Sequence, residues 1–236
     1  MSLKYKSVVP WGRSLDEYKR MFDLTEDELT LRIVGCGDGP ASFNIECNSN
    51  GGQVVSIDPL YQLSKVEIKK RIDETYDDVL RQTAANKEKF VWDTITSVED
   101  LGRIRMEAMN RFLESYEEGK TNQNYIPAML PSLPFAAKTF DLALSSHFLF
   151  LYSDNLTYKF HVESITEMLR VAKEVRIFPL LDVNGKKSPY LEKILIEFQE
   201  KELEIRSVDY EFQRYGNEVL MIRNPSAISG RESPSK

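Results

Sequence analysis

The chain has 236 residues, 42% of them hydrophobic and 29% charged, which is typical of a soluble globular protein with a sizeable core. Its 31 basic and 37 acidic residues give a net charge of −6 at pH 7, which argues against a dedicated nucleic-acid-binding protein. The sequence has no secretory leader pattern and no run of 18 apolar residues, and its two cysteines, Cys36 and Cys47, are predicted to be reduced. A cytoplasmic protein that binds neither membranes nor nucleic acids is expected.

A short helix is the first predicted element. Apolar side chains recur at helical spacing over residues 15–22, and Ser14 with Glu17 three positions later forms a capping-box pattern. These features predict a helix over 14–23, preceded by a turn at 10–13. The region is interpreted as a packing element beside the main sheet or, alternatively, as a flap over an active site.

A βαβ unit is predicted over residues 31–58. The apolar run 31–34 predicts a buried strand that ends in closely spaced glycines. A helix over 41–47 follows, and the apolar run 53–58 predicts the neighbouring strand. Two strands joined by one helix in about 28 residues form a parallel pair with a right-handed crossover.

The turn of this unit predicts a ribose-bearing cofactor. In our interpretation Gly35 permits the tight turn and Gly37 lets a ligand approach the backbone. Asp58 lies 19 positions after Gly39 (58 − 39), where a dinucleotide-binding fold has the carboxylate that accepts hydrogen bonds from ribose hydroxyls. Pro40 interrupts the glycine spacing that a pyrophosphate requires, which disfavours NAD.

The next 60 residues are predicted to be helical. Apolar residues recur every three to four positions over 68–80 and again over 101–112, with charged residues between them. Because one crossover helix needs far fewer residues, we interpret 60–120 as an insertion of at least one extra helix. It is either a hairpin that stabilises the sheet edge or a cap that shapes a substrate pocket.

The rest of the chain is predicted to complete a parallel sheet with helices on both faces and to close it with a hairpin. Residues 224–236, rich in Ser, Pro and Gly, are predicted to be disordered. The predicted elements are a very short strand within 124–128, strands over 140–146 and 174–181, a helix with apolar residues from 161 to 172, a helix over 190–198, and hairpin strands over 203–212 and 219–223.

Four segments resemble the motifs of class I S-adenosylmethionine-dependent methyltransferases, in that family's order. The resemblance implies a Rossmann-like methyltransferase fold, an α/β doubly wound, mostly parallel seven-stranded sheet, with a helical insertion after the second strand and one domain over 1–223. The matching segments are 34–39 (first motif), 57–58 (second-strand acidic position), 133–135 with 140–147 (fourth-strand region) and 167–172 (helix before the fifth strand).

The same resemblance implies S-adenosylmethionine as the cofactor and a set of residues that bind it. The glycine turn would contact the methionine part and the ribose, Asp58 would hold both ribose hydroxyls, and the loop at Met129 would meet the adenine. Residues 145–147 would lie near the methyl group. The implied cofactor-binding residues are Gly35, Cys36, Gly37, Asp38, Gly39, Asp58, Pro59, Met129, Leu130, Ser145 and Ser146.

The chain departs from the family pattern at two positions. Ile33 and Met129 stand where many members have acidic residues. Contacts to the methionine amino group and the adenine edge are therefore expected from elsewhere, such as Asp38 or the backbone, and the alternative is weak cofactor binding. The Asp/Asn-Pro-Pro-Tyr signature is also absent, and 145–148 reads Ser-Ser-His-Phe, which favours a small-molecule acceptor. The leading prediction is methyl transfer. The alternatives are a nicotinamide-dependent oxidoreductase and a non-catalytic S-adenosylmethionine-binding regulatory module.

His147 is the candidate catalytic residue, as a general base or as a group that orients the acceptor, because it follows the fourth strand directly. The alternative for His147 is a hydrogen-bonded side chain that braces a loop. His161 lies on an apolar helix face and is interpreted as a core residue. Two histidines and two dispersed cysteines form no metal-binding pattern, so no metal is expected.

Overall fold

The computed structural model describes residues 9–225 and contains a seven-stranded sheet. The strands are β1 Arg32–Cys36, β2 Gln53–Ile57, β3 Tyr125–Ile126, β4 Phe140–Ser146, β5 Ala172–Phe178, β6 Glu202–Ser207 and β7 Glu218–Arg223. Their order in the sheet is β3-β2-β1-β4-β5-β7-β6. The first five strands are parallel, and β7 is antiparallel to both β5 and β6. The predicted α/β class with a mostly parallel seven-stranded sheet is confirmed.

The strand order reverses beside β1. The chain runs outward from β1 through β2 to β3 and then returns to add β4 on the opposite side of β1. The register aligns Gly35 of β1 with Ser56 of β2 and with Leu144 of β4. The carboxyl ends of these three strands therefore meet at one edge of the sheet, and such a reversal point is where parallel sheets bind ligands.

Six α-helices lie in the described residues: α1 Leu15–Phe22, α2 Phe43–Ser49, α3 Lys65–Ala84, α4 Val98–Thr121, α5 Tyr158–Val171 and α6 Leu191–Glu197. Four of them cover the two faces of the sheet, with α1 and α2 on one face and α5 and α6 on the other. Side chains of β1 alternate between these faces, because successive strand residues point in opposite directions. Ile33 packs in the core beneath α1 and α2, whereas Val34 packs in the core beneath α5 and α6.

The N-terminal helix begins with the predicted capping box. The Glu17 backbone N–H donates to Ser14 Oγ at 3.4 Å, and the Ser14 N–H donates to the Glu17 carboxylate at 3.2 Å. Two backbone donors that a helix start leaves unpaired are satisfied in this way. This contact fixes the start of α1 next to the cavity described below.

The insertion after β2 forms the antiparallel helices α3 and α4, which pack beside the β3 edge of the sheet. Their buried side chains form a third core cluster that includes Tyr61, Phe112, Tyr116 and Tyr125. The Tyr116 hydroxyl donates to the backbone oxygen of Tyr61 at 2.9 Å, and its ring lies 5.8 Å from that of Tyr125. This aromatic cluster attaches the insertion to the last strand on that side.

The largest errors in the predicted element boundaries are at β5 and β6. Ala172, predicted on a helix face, is the first residue of β5, and that strand ends at Phe178 instead of reaching residue 181. An apolar helix runs directly into a buried strand here with no glycine or proline between them. The first hairpin strand ends at Ser207 instead of residue 212, because residues after it leave the sheet and pair with the insertion.

Two expectations concern regions beyond these elements. Residues 226–236 of the predicted disordered tail lie outside the described residues, and the assignment of 1–223 to one domain stays a prediction. Between residues 9 and 225, no helix combines the length and the apolar character needed to cross a membrane.

Candidate functional site

A cavity of about 470 Å³ lies at the carboxyl ends of β1, β2 and β4. Its size is within the usual range for small-molecule sites. Its lining comes from the loops after β1, β2 and β4, from the N-terminal segment, from the insertion and from the β6–β7 connection. Of the predicted site residues, the lining includes Gly37, Asp38, Gly39, Asp58, Pro59, Met129, Leu130, Ser146 and His147.

The turn after β1 depends on Gly37 and Gly39, which have φ angles of 75° and 54° that disfavour residues with a Cβ atom. The Gly37 N–H donates to the Ile57 carbonyl at 2.9 Å, which holds the turn against β2. Gly35 has a different role from the predicted one. It lies within β1, and a Cβ atom there would come within 1.8 Å of Asp38 Oδ2, so Gly35 makes room for that carboxylate.

Asp58 follows β2 and faces the cavity. Its Oδ2 accepts from the Gly39 N–H at 2.9 Å, and its Oδ1 accepts from the Leu60 N–H at 2.7 Å. Burial raises the pKa of Asp58 to about 6, although both backbone hydrogen bonds oppose this shift. Each carboxylate oxygen retains a lone pair, so the group can also accept two hydroxyl donors from a ligand.

The Asp38 carboxylate is directed mainly into the protein. The Tyr18 hydroxyl donates to its Oδ1 at 2.8 Å, and the Ser56 hydroxyl donates to its Oδ2 at 2.5 Å. Burial raises the pKa of Asp38 to about 6 against the effect of these hydrogen bonds. Asp38 borders the cavity, but its two oxygens already brace the turn against α1 and β2.

The other predicted cofactor residues divide into two groups. Met129 is 59% exposed at the cavity rim, whereas Leu130 is buried below it. Gly35, Cys36 and Ser145 are not among the lining residues. Ser145 alternates with the cavity-lining Ser146 along β4, so it lies on the opposite face of the sheet, and its buried hydroxyl has no partner within the described chain.

His147 follows β4 with a left-handed backbone (φ 51°), and its N–H donates to the Phe178 carbonyl at 2.6 Å. Its Nδ1 lies 3.0 Å from Ser146 Oγ. Burial, reinforced by the positive charges of Arg13 and Arg105, lowers the pKa of His147 well below its usual range. The imidazole is therefore neutral near pH 7 and borders the cavity.

His161 is a core residue, in agreement with its interpretation from the sequence. It is fully buried, and its two ring nitrogens lie 2.8 Å from the Thr157 carbonyl and 3.0 Å from the Leu149 carbonyl. Burial lowers the pKa of His161, and a neutral imidazole has one N–H to donate to one of these two carbonyls. This histidine holds the start of α5 against the loop after β4.

A buried charge cluster behind the cavity was missed by the sequence analysis. Arg105 of α4 is fully buried, and its Nη1 donates to Glu17 Oε2 at 2.5 Å. The Tyr210 hydroxyl donates to Glu17 Oε1 at 2.9 Å. The cluster joins α1, the insertion and the β6–β7 connection. One signal was available, because Arg105 interrupts the apolar stripe between Leu101 and Ala108.

The insertion also forms a wall of the cavity. The Val91 N–H donates to the Phe212 carbonyl at 2.8 Å, and the Arg214 N–H donates to the Lys89 carbonyl at 2.8 Å. The rings of Phe90 and Phe212 stack with their centroids 4.9 Å apart. Phe90 and Phe212 both line the cavity, so the connection between α3 and α4 closes its far end.

The sheet order, the glycine turn after β1 and the insertion after β2 define a protein with the Rossmann-like methyltransferase fold. The chain is 38% identical over 223 residues to the uncharacterised protein MJ0045 of Methanocaldococcus jannaschii. The matched region covers 94% of this chain and 98% of that protein. The chain belongs to the family of MJ0045. No protein-family model matches the chain.

Solved structures that resemble this chain share little sequence with it. Magnesium protoporphyrin IX methyltransferase from Synechocystis PCC 6803, with bound SAM, is 12% identical, with 85% of this chain and 73% of that chain covered and a TM-score of 0.44. A SAM-dependent methyltransferase from Methanosarcina mazei is 15% identical, with coverages of 85% and 94% and a TM-score of 0.45. One from Aquifex aeolicus is 13% identical, with coverages of 87% and 90% and a TM-score of 0.41.

Proposed function

We propose that this protein is an S-adenosylmethionine-dependent methyltransferase that acts on a small, largely apolar acceptor. One observation carries the proposal. The cavity at the reversal point of the sheet combines a glycine turn with the carboxylate of Asp58, whose oxygens can accept hydrogen bonds from ribose hydroxyls.

The residues at this end of the cavity fit a nucleoside cofactor. A Cβ atom at Gly39 would meet only Asp58 Oδ2, at 4.0 Å, so the turn leaves room for a ligand there, and Asp58 would hold the two ribose hydroxyls. Met129 and Leu130 would contact the adenine with apolar atoms. Bound S-adenosylmethionine would supply an electrophilic methyl group on its sulfonium.

The rest of the cavity lining suits an acceptor with an apolar body, because Trp11, Tyr152 and Phe212 contribute aromatic surface to it. Methyl transfer requires alignment of the acceptor atom with the methyl group in a site that excludes water, and apolar walls provide both. The insertion would therefore act as a cap that shapes the acceptor site, in addition to covering the sheet edge.

His147 would serve as the general base for an acceptor that must lose a proton, such as a hydroxyl. A base has to be unprotonated before the reaction, and burial together with the nearby arginines keeps this imidazole neutral. In the tautomer that would act as the base, Nδ1–H donates to Ser146 Oγ, which orients the ring, and the unprotonated Nε2 would accept the proton.

A non-catalytic S-adenosylmethionine-binding module is the second candidate, and Ile33 favours it. Many methyltransferases of this class have an acidic residue at that position, whereas Ile33 is fully buried in the core. Such a module would bind the cofactor without turnover across a panel of acceptors. The oxidoreductase alternative is disfavoured by Pro40, which breaks the pyrophosphate spacing.

Isothermal titration calorimetry with S-adenosylmethionine, S-adenosylhomocysteine and NADH tests the proposal. We expect both sulfur nucleosides to bind and NADH not to bind. Asp58→Ala should weaken binding by about 1–3 kcal/mol, because the ribose hydroxyls lose a charged partner. Absence of sulfur-nucleoside binding at high micromolar concentration would refute the proposal.

A further inference from the structure

Arg13 is the basic residue that the N-terminal segment contributes to the cavity lining, and its backbone is firmly anchored. Its carbonyl oxygen accepts from the Ser42 N–H at 3.0 Å and from the Phe43 N–H at 3.3 Å. These bonds attach the residue to the start of α2, just after the glycine turn. The guanidinium therefore extends from a fixed point beside the predicted cofactor end of the cavity.

The guanidinium of Arg13 has few partners of its own. Its Nη1 donates to the carbonyl of Trp11 at 3.1 Å, and its Nε is buried without a hydrogen-bond partner in the described chain. Within residues 9–225 no carboxylate oxygen forms an ion pair with it, in contrast to Arg105 and Arg176. Because Nε has almost no accessible surface, a ligand in the cavity would reach the guanidinium through its terminal nitrogens.

The local charge balance is positive. Arg13 and Arg105 lie near one carboxylate, that of Glu17. Both oxygens of this carboxylate already accept hydrogen bonds, one from Arg105 and one from Tyr210. One positive charge is therefore left without a counter-charge at the wall of a mostly apolar cavity. Such an arrangement favours a ligand with one negative charge at this point.

We propose that Arg13 binds a carboxylate group of a ligand inside the cavity. The inference rests on the proposed function, because the cavity is assigned to the cofactor and the acceptor. A guanidinium offers parallel donors that match the two oxygens of a carboxylate, and one free charge suits a monoanion. The carboxylate has two sources, the methionine part of the cofactor and the acceptor.

The experiment compares wild type, Arg13→Gln and the control Arg71→Gln. Arg71 also borders the cavity but is exposed, so its substitution removes the same charge from the rim. Calorimetry measures the Kd of S-adenosylhomocysteine and of 5′-methylthioadenosine, which lacks the amino-acid carboxylate. Calorimetry then measures the Kd of octanoate and of octanamide in the presence of S-adenosylhomocysteine.

If Arg13 binds the carboxylate of the cofactor, Arg13→Gln should raise the Kd of S-adenosylhomocysteine about tenfold or more and leave the Kd of 5′-methylthioadenosine unchanged. If Arg13 binds the carboxylate of the acceptor, Arg13→Gln should leave S-adenosylhomocysteine binding unchanged. Wild type should then bind octanoate more tightly than octanamide, and Arg13→Gln should abolish this preference. Arg71→Gln should change neither result. Equal affinities in wild type and Arg13→Gln for all four ligands would overturn the inference.

The outcome remains distinguishable from failure of the proposed function. If wild type binds no sulfur nucleoside, the proposed function fails, and the octanoate and octanamide comparison without nucleoside still decides whether Arg13 binds carboxylates. If Arg13→Gln does not fold by circular dichroism, Arg13→Lys takes its place. Lysine keeps the positive charge but lacks the paired donors of the guanidinium. Arg13→Lys should therefore weaken binding of the same ligand by a smaller factor than Arg13→Gln would.

Discussion

Lowering the pH through 6 is expected to weaken S-adenosylhomocysteine binding, because Asp58 must be ionised to accept both ribose hydroxyls. Burial raises the pKa of this carboxyl to about 6, so it is ionised at pH 8 and about nine-tenths protonated at pH 5. If the ionised form alone binds the ribose fully, the Kd rises about tenfold between pH 8 and pH 5, or about 1.4 kcal/mol. Between pH 7 and pH 8 the Kd should stay constant.

Calorimetric titrations at pH 5, 6, 7 and 8 measure this dependence. The ligand 5′-methylthioadenosine should show the same dependence, since it keeps the ribose and lacks the titrating amino-acid groups. Asp58→Asn should bind weakly at every pH. Asp38 also has a pKa of about 6, but its oxygens are held by Tyr18 and Ser56, so Asp38→Asn should keep the dependence. A constant wild-type Kd, or an unchanged dependence in Asp58→Asn, would refute the assignment of Asp58 to the ribose.

Three further predictions concern the surroundings of the site. Glu17→Gln should lower the free energy of unfolding by about 3–5 kcal/mol in urea denaturation, because it leaves the buried Arg105 charge without its counter-charge; a loss below 1 kcal/mol would contradict this. Gly37→Ala should lower the free energy of unfolding by about 1–3 kcal/mol, and by more than Gly51→Ala does. Both glycines have positive φ, but only at Gly37 would the new Cβ atom contact a neighbouring ring. Nitrogen-15 NMR should show His147 neutral at pH 6, and a titration midpoint at 6.5 or above would be inconsistent with its burial.

The elements around the part of the cavity assigned to the cofactor could be predicted from local sequence patterns. The strand over 140–146 and the capping box at Ser14 match the structure because short-range spacing determines them. Asp58 was expected at the carboxyl end of a strand for the same reason. The end of α5 was not predictable, because Val171 and Ala172 continue one apolar pattern across a change from helix to strand.

The far wall of the cavity could not be predicted from local patterns. It depends on long-range contacts, such as the bond from Val91 to Phe212, that join segments about 120 residues apart. Arg13 and Arg105 reach the same region from the N-terminal segment and from the insertion. The inward direction of Asp38 likewise follows from Tyr18 and Ser56, which are distant in sequence. Spacing within one motif contains none of this information.

A crystal structure of the protein with S-adenosylhomocysteine bound would test the central claim most directly. We predict that the ribose hydroxyls lie within hydrogen-bond distance of both Asp58 oxygens, with the adenine against Met129 and Leu130. The sulfur should face the part of the cavity lined by Ser146 and His147. A nucleoside bound elsewhere, or with its ribose away from Asp58, would contradict the proposed cofactor site.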